Sequence, residues 1–168
     1  MTTIKRIKKD SVFHFWQLFK KILHQGFSDY SPKVREFFLK QVYTPSAFIY
    51  WIKNKQKTVF VAYQDEKPVG YAVIDRPYGG VCFCRWLGVL EEQQKKGIGR
   101  KLVEQWLEYA KSQRCHKVEI ASQISAAPFY QKVGLDKEGE RKLSYFGIDQ
   151  IIFGKVIGKP DQEAMVSS

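Results

Sequence analysis

The chain has 168 residues, 44% of them apolar and 15% aromatic, which suits one domain with a single core. No run of about 18 apolar residues occurs, so no transmembrane helix is expected, and the formal net charge of +11 leaves an acidic partner or nucleic acid to be weighed. Cys82, Cys84 and Cys115 have no disulfide-framework spacing, and His14, His24 and His116 have no metal-ligand spacing, so reduced thiols and no metal are expected.

Residues 1–9 are basic, but no signal-peptide apolar stretch and cleavage site follow, which points to the cytoplasm. Thr2 to Ile7 reads as a short strand. Over residues 10–25, Val12, Phe15, Trp16, Phe19, Ile22 and Leu23 recur at helical spacing, and Gly26 stops the pattern. His14 and His24 fall on its surface or boundary. Ser31-Pro32 and Thr44-Pro45 each pair an N-cap with a first-turn proline, predicting helices to about Val42 and Lys53. The pattern then turns to strands: 58–63, a turn at 65–68, 69–74, a turn at 77–80, and 81–90, an antiparallel meander. Cys82 and Cys84, two apart on the last of these, share one face. From Ile98 to Lys111 an amphipathic helix buries Leu102, Val103, Trp106, Leu107 and Ala110, with Arg100 and Glu104 as an exposed i,i+4 pair. A strand at 117–121 completes a crossover, expected to be right-handed. A helix spans about 126–133, and two strands at 142–146 and 150–156 end the fold. The arrangement is α+β, a mixed, mostly antiparallel sheet flanked by helices, in one domain over 1–157. A polar tail at 158–168 is expected to fray.

The most telling segment is Gln94-Lys95-Lys96-Gly97-Ile98-Gly99-Arg100-Lys101, a glycine-bearing turn between a strand and a helix. A helix N-terminus offers free N–H groups and partial positive charge, and four cationic side chains add to it there. The simplest reading is a pyrophosphate cradle. The third glycine of G-x-G-x-x-G would fall at Leu102, so the dinucleotide fingerprint is absent, and no G-x-x-x-x-G-K-[ST] occurs. A single short glycine motif also reads as an ordinary basic strand-to-helix turn. A second segment shifts the balance: Ser125-Ala126-Ala127-Pro128-Phe129-Tyr130-Gln131-Lys132-Val133-Gly134-Leu135.

Together, Gln-x-x-Gly-x-Gly after a strand and the later Phe-Tyr, lysine and glycine resemble the two motifs of the GNAT superfamily of N-acetyltransferases, in the family order, over roughly residues 58 to 157. The match has Leu135 for the usual phenylalanine, Gln123 where many members carry asparagine, and no proline near Glu91. The resemblance implies the GNAT fold, acetyl-CoA as acetyl donor, and direct transfer to an amine of a small molecule, peptide or protein. It implies that backbone N–H groups of Leu87, Gly88 and Val89 meet the thioester end and pantetheine arm. It also implies that Gln94, Lys95, Lys96, Gly97, Ile98 and Gly99 cradle the pyrophosphate through backbone N–H groups. Arg100, Lys101 and Lys132 are candidate phosphate partners. Tyr130 is the candidate acid for the departing thiolate. Glu119 and Glu91 are candidate bases, each also readable as an exposed carboxylate, with an ordered water as the alternative. In this fold the first helices border the acceptor. The aromatic residues there (Phe27, Tyr30, Phe37, Phe38, Tyr43, Phe48, Tyr50, Trp51) read first as core and second as a pocket lining.

Two rival classes remain: a non-catalytic CoA-binding domain of the same fold, and a basic nucleic-acid-binding module. The second ranks last, because the lysines are dispersed and no helix-turn-helix, zinc-finger or RNP-type motif occurs. Neither a membrane partner nor nucleic acid is expected, and a monomer and a homodimer are both compatible with the sequence.

Overall fold

A computed structural model describes residues 1–166. One seven-stranded sheet forms its centre, in the order β1-β2-β3-β4-β5-β7-β6. The strands are β1 (Thr2–Arg6), β2 (Lys57–Gln64), β3 (Lys67–Asp75), β4 (Val81–Val89), β5 (Lys117–Gln123), β6 (Asp136–Arg141) and β7 (Gln150–Val156). Every neighbouring pair is antiparallel except β4 and β5, which the crossover helix α4 (Ile98–Ser112) joins in parallel. The hydrophobic meander read from the sequence is therefore present as β2, β3 and β4, and the parallel step to β5 follows it.

The helices before the sheet are α1 (Val12–Gly26), α2 (Pro32–Phe37, widening into a π-type turn over Phe38–Val42) and α3 (Pro45–Lys53). Both proposed N-caps form: the Ser31 hydroxyl accepts from Val34 N–H at 3.2 Å, and the Thr44 hydroxyl from Ala47 N–H at 3.1 Å. Strand alternation separates α1 from α4. Tyr71 packs its ring on Phe15 and Phe19 of α1, while a Cβ at its neighbour Gly70 would meet Leu102 of α4. The two helices thus cover opposite faces of the sheet. Val12, Phe19 and Leu23 on one, and Leu102 and Trp106 on the other, are fully buried. Each such large side chain contributes about 1.5–3 kcal/mol through burial. Cys82 and Cys84 are buried as a same-face pair, and all three cysteines are free thiols.

Three expectations need correction. The strand before β7 is Asp136–Arg141, not 142–146. Its sequence DKEGER lies on the sheet edge with almost every side chain exposed, so it carries no period-2 apolar signal. Residues 142–149 instead form a loop, with Leu143, Phe146 and Gly147 in left-handed backbone and the Asp149 carboxylate accepting from Leu143 N–H at 2.8 Å. The apolar residues Leu143, Tyr145 and Phe146 imitated a strand there. Arg100 does not pair with Glu104; it reaches across to donate to the Lys132 carbonyl at 3.4 Å. The segment after Gly158 carries a short helix, α6 (Gln162–Val166), capped by the Asp161 carboxylate on Ala164 N–H and tied to Arg114 by an ion pair. The last two residues of the expected tail lie outside the described residues.

Candidate active site

The site begins with a defect in the sheet. Between β3 and β4 the register jumps, with Val73 opposite Trp86 but Ile74 opposite Cys84. Arg85 is the extra residue of this bulge, and bulges bend a strand and sharpen its twist. Pairing between β4 and β5 ends at Cys84 and Ile120. Beyond that point β4 continues to Val89 and β5 to Gln123, with no strand between them. The edge of β4 over Arg85–Val89 is therefore free to take a bound chain as an added strand. This edge contains Leu87, Gly88 and Val89. Gly88 is required for a different reason than ligand approach: a Cβ there would lie 2.5 Å from Ile22 of α1.

At the end of β4 a 3-10 turn (Glu91–Gln93) leads into the glycine loop. Lys95 is left-handed at φ 62°, and Gly97 caps α4 at φ 82°. Among the described residues, no backbone acceptor takes the N–H groups of Lys95, Lys96, Gly97, Ile98 and Gly99. They cluster at the N-terminus of a 15-residue helix, which favours an anion. A Cβ at Gly97 would meet nothing within 4 Å, so the loop leaves open space beside those donors. Lys95, Arg100, Lys101 and Lys132 are exposed around it. Lys96 donates to the Gln93 side chain at 3.3 Å, and Gln94 reaches back to the Val89 carbonyl at 3.3 Å. Gly99 differs from Gly97: a Cβ there would sit 2.9 Å from the Phe129 ring. Its smallness locks α4 against α5 (Ala127–Lys132), so the two motifs seen in the sequence touch one another.

Beside Phe129, Tyr130 is only 4% exposed, yet its hydroxyl has no hydrogen-bond partner among the described residues. Burial, with a smaller contribution from Cys84, pushes its phenol well above the ordinary value, so it keeps its proton across the physiological range. Tyr130 lines a cavity of about 300 Å³ at the gap between β4 and β5, where Leu87 and Ser122 also meet it. The cavity is therefore lined by a residue of the free strand edge, Leu87, and by the buried phenol of Tyr130, while the open helix end follows β4 along the chain. The cradle fits a pyrophosphate-bearing thioester: open space at Gly97, unpaired donors and surrounding cations all match such a group.

The model of the acetyltransferase (GNAT) family matches residues 19–135. The chain belongs to this family. GNAT acetyltransferases take their acetyl group from acetyl-CoA, and the fold agrees with solved members throughout. The PaiA N-acetyltransferase of Thermoplasma acidophilum, crystallised with coenzyme A, superposes with a TM-score of 0.80 at 14% identity, over 94% of this chain and 99% of that one. A probable acetyltransferase of Staphylococcus epidermidis gives 0.77 at 16% identity, over 93% and 99%. The ribosomal-protein-alanine N-acetyltransferase of Brucella melitensis gives 0.72 at 16% identity, over 92% and 99%. No protein of curated function matches the sequence.

Within this GNAT frame, several residues stand elsewhere than the motifs suggest. Glu119 is on β5 but pairs with Lys117 at 3.1 Å, and that lysine also holds Glu138 at 2.8 Å. It does not line the cavity. Glu91 is exposed, its N–H donated to the Gln25 side chain. Gln123 crosses the mouth to donate to the Gly26 carbonyl at 2.8 Å, tying the end of β5 to the end of α1. The aromatic residues of the first helices divide. Phe27, Tyr30, Phe37, Phe38 and Tyr43 line the cavity, while Phe48 is fully buried in the core and Tyr50 is exposed. Burial raises the phenols of Tyr30 and Tyr43, which therefore stay neutral. Sequence reasoning missed Arg85, Arg141, Tyr145 and Phe146, all of which line the cavity. The bulge that presents Arg85 has no glycine or other sequence marker. The loop bearing Tyr145 and Phe146 was hidden by its strand-like pattern. Among the described residues no helix is long and apolar enough to cross a membrane.

Proposed function

We propose that the protein transfers the acetyl group of acetyl-CoA directly to a primary amine bound in the cavity between α2, the 142–149 loop and the gap in the sheet. The observation that carries this reading is Tyr130: a buried, protonated phenol without an internal partner, opening on the cavity beside the free edge of β4. Acetyl-CoA supplies the acetyl group as an activated thioester. The N–H groups of Lys95 to Gly99 hold the pyrophosphate, with Lys95, Arg100, Lys101 and Lys132 screening its charge. The edge at Leu87, Gly88 and Val89 aligns the pantetheine arm and donates to the oxygen on which negative charge develops. Burial keeps Tyr130 protonated, so its hydroxyl donates a hydrogen bond to the sulfur as the C–S bond breaks, and the proton lost by the amine returns through water to the thiolate. Since Glu119 and Glu91 lie away from the cavity, the amine proton leaves through water at the open mouth. The three free thiols support a cytoplasmic location.

Thermal unfolding with acetyl-CoA, and release of free thiol with a panel of amines, test the proposal. Saturation at about a hundred times Kd stabilises a fold by roughly 2.7 kcal/mol. A higher Tm with acetyl-CoA, together with amine-dependent thiol release, is expected. Binding without release for every amine would favour a non-catalytic CoA-binding role. The free Tyr130 hydroxyl argues against that outcome.

A further inference from the structure

We infer that the acceptor is a small amine carrying a carboxylate beside a large apolar body, chemically a free amino acid with an aromatic side chain. The inference rests on the cavity being the acceptor site, as proposed above, and on two features of its walls.

The first is aromatic. Phe38 packs edge-to-face against Tyr30, Trp86 and Phe146, with ring centroids 5.0–5.8 Å apart. This cluster continues outward to the rim rather than closing over. Phe146 is 53% exposed and Tyr145 70% exposed, and Phe146 is held at φ 60°. A bulky side chain in left-handed backbone is strained, and such strain persists where the surroundings impose it. A rim that keeps two aromatic rings in water leaves apolar area for a ligand to cover. The cavity, about 300 Å³, is at the small end of the sites that enclose small molecules.

The second feature is charge. Arg85 donates through Nε and Nη2 to one oxygen of Asp75, at 2.9 and 2.6 Å. Lys57 grips the other oxygen of the same carboxylate. Two cations share one anion, so the cluster keeps an unbalanced positive charge beside the cavity. Arg141 also lines it and has no ion-pair partner among the described residues; its neighbour Glu140 is taken by Lys137 and Lys142. Against these two guanidiniums the cavity wall holds one carboxylate, Asp29. A ligand carboxylate would offset the excess through charge-assisted hydrogen bonds. A polyamine would instead bring several positive charges to a wall that is already positive. An aromatic amino acid carries its nucleophilic amine, its carboxylate and an arylmethyl side chain on one carbon, which matches a cavity combining both kinds of wall.

The test compares L-tryptophan and L-phenylalanine with their decarboxylated counterparts, tryptamine and phenethylamine, and with spermidine. Thiol release from acetyl-CoA and the Tm of the CoA-bound protein are both read. The amino acids are expected to give the higher kcat/KM and to raise the Tm of the CoA complex further. R141Q is expected to lower kcat/KM for L-tryptophan roughly 5- to 30-fold and to leave tryptamine within about 2-fold. The Kd for acetyl-CoA stays unchanged in that variant. Tryptamine or spermidine serving as well as the amino acids would overturn the inference while leaving the transferase reading intact. So would a CoA complex that no amino acid stabilises. Failure of acetyl-CoA itself to raise the Tm would instead strike the underlying reading.

Discussion

Replacing Gly99 with alanine tests whether the cofactor loop and the Tyr130 helix form one mechanical unit. The new Cβ would lie 2.9 Å from Phe129 Cζ and 3.0 Å from Cε2. Carbon pairs rest at about 3.5–4.0 Å, so the ring must retreat by roughly 0.6–1 Å. Overpacking of this kind costs about 1–3 kcal/mol. Alanine in place of glycine within a helix returns about 0.5–1 kcal/mol. The expected net loss is therefore on the order of 1 kcal/mol. Phe129 immediately precedes Tyr130, so the retreat also moves the phenol away from the cavity. F129L removes the obstructing ring edge, and G99A/F129L is expected to be more stable than the sum of the single changes by roughly 1–2 kcal/mol. Urea denaturation of the four proteins gives this coupling, and single-turnover thiol release gives the catalytic counterpart: slower in G99A, recovered in part in the double variant. Additivity within about 0.3 kcal/mol, with unchanged turnover in G99A, would refute the argument. It would mean that α5 yields without consequence.

Other predictions follow from the same geometry. Y130F removes a hydroxyl with no internal partner, so the fold should keep its stability while kcat falls by about 10²- to 10⁴-fold at unchanged acetyl-CoA affinity, as seen in steady-state and binding assays. G97E places charge and bulk in open space at a left-handed position; calorimetry should show loss of acetyl-CoA binding while circular dichroism still shows a folded protein. Buried Tyr130 keeps its proton in the fold and loses it at an ordinary pKa when unfolded. Its contribution is therefore fully present below about pH 10 and fades above it, by roughly 1.4 kcal/mol per pH unit. Stability measured by denaturation from pH 9 to 11 should thus fall less steeply for Y130F than for the parent, and equal slopes would show that the phenol is solvated.

The parts of this fold that repeat a period were legible in the sequence, and the parts that break one were not. The buried stripe of α1, the Ser31 and Thr44 caps and the crossover through α4 are each dictated by side chains a few residues apart. The glycine loop proposed to hold the cofactor stands out for a similar local reason: its glycines, lysines and helix start are adjacent in the chain. The two glycines nevertheless do different work. Gly97 supplies a backbone angle and open space, while Gly99 makes room for a ring thirty residues away in sequence, which local pattern does not encode. The cavity proposed to take the acceptor is built almost wholly from such distant meetings. Arg85 reaches the cavity because a bulge inserts it into β4. Asp75 and Lys57, which hold it, come from two other strands. Phe146 meets Phe38 across more than a hundred residues, from a loop whose composition imitates a strand. On the proposed reading, the cofactor site is one turn and the acceptor site is assembled by tertiary structure, so two chains can share the loop and the sheet while differing in the amine they take. That is why the test of substrate class rests on Arg141 and the aromatic rim rather than on either motif.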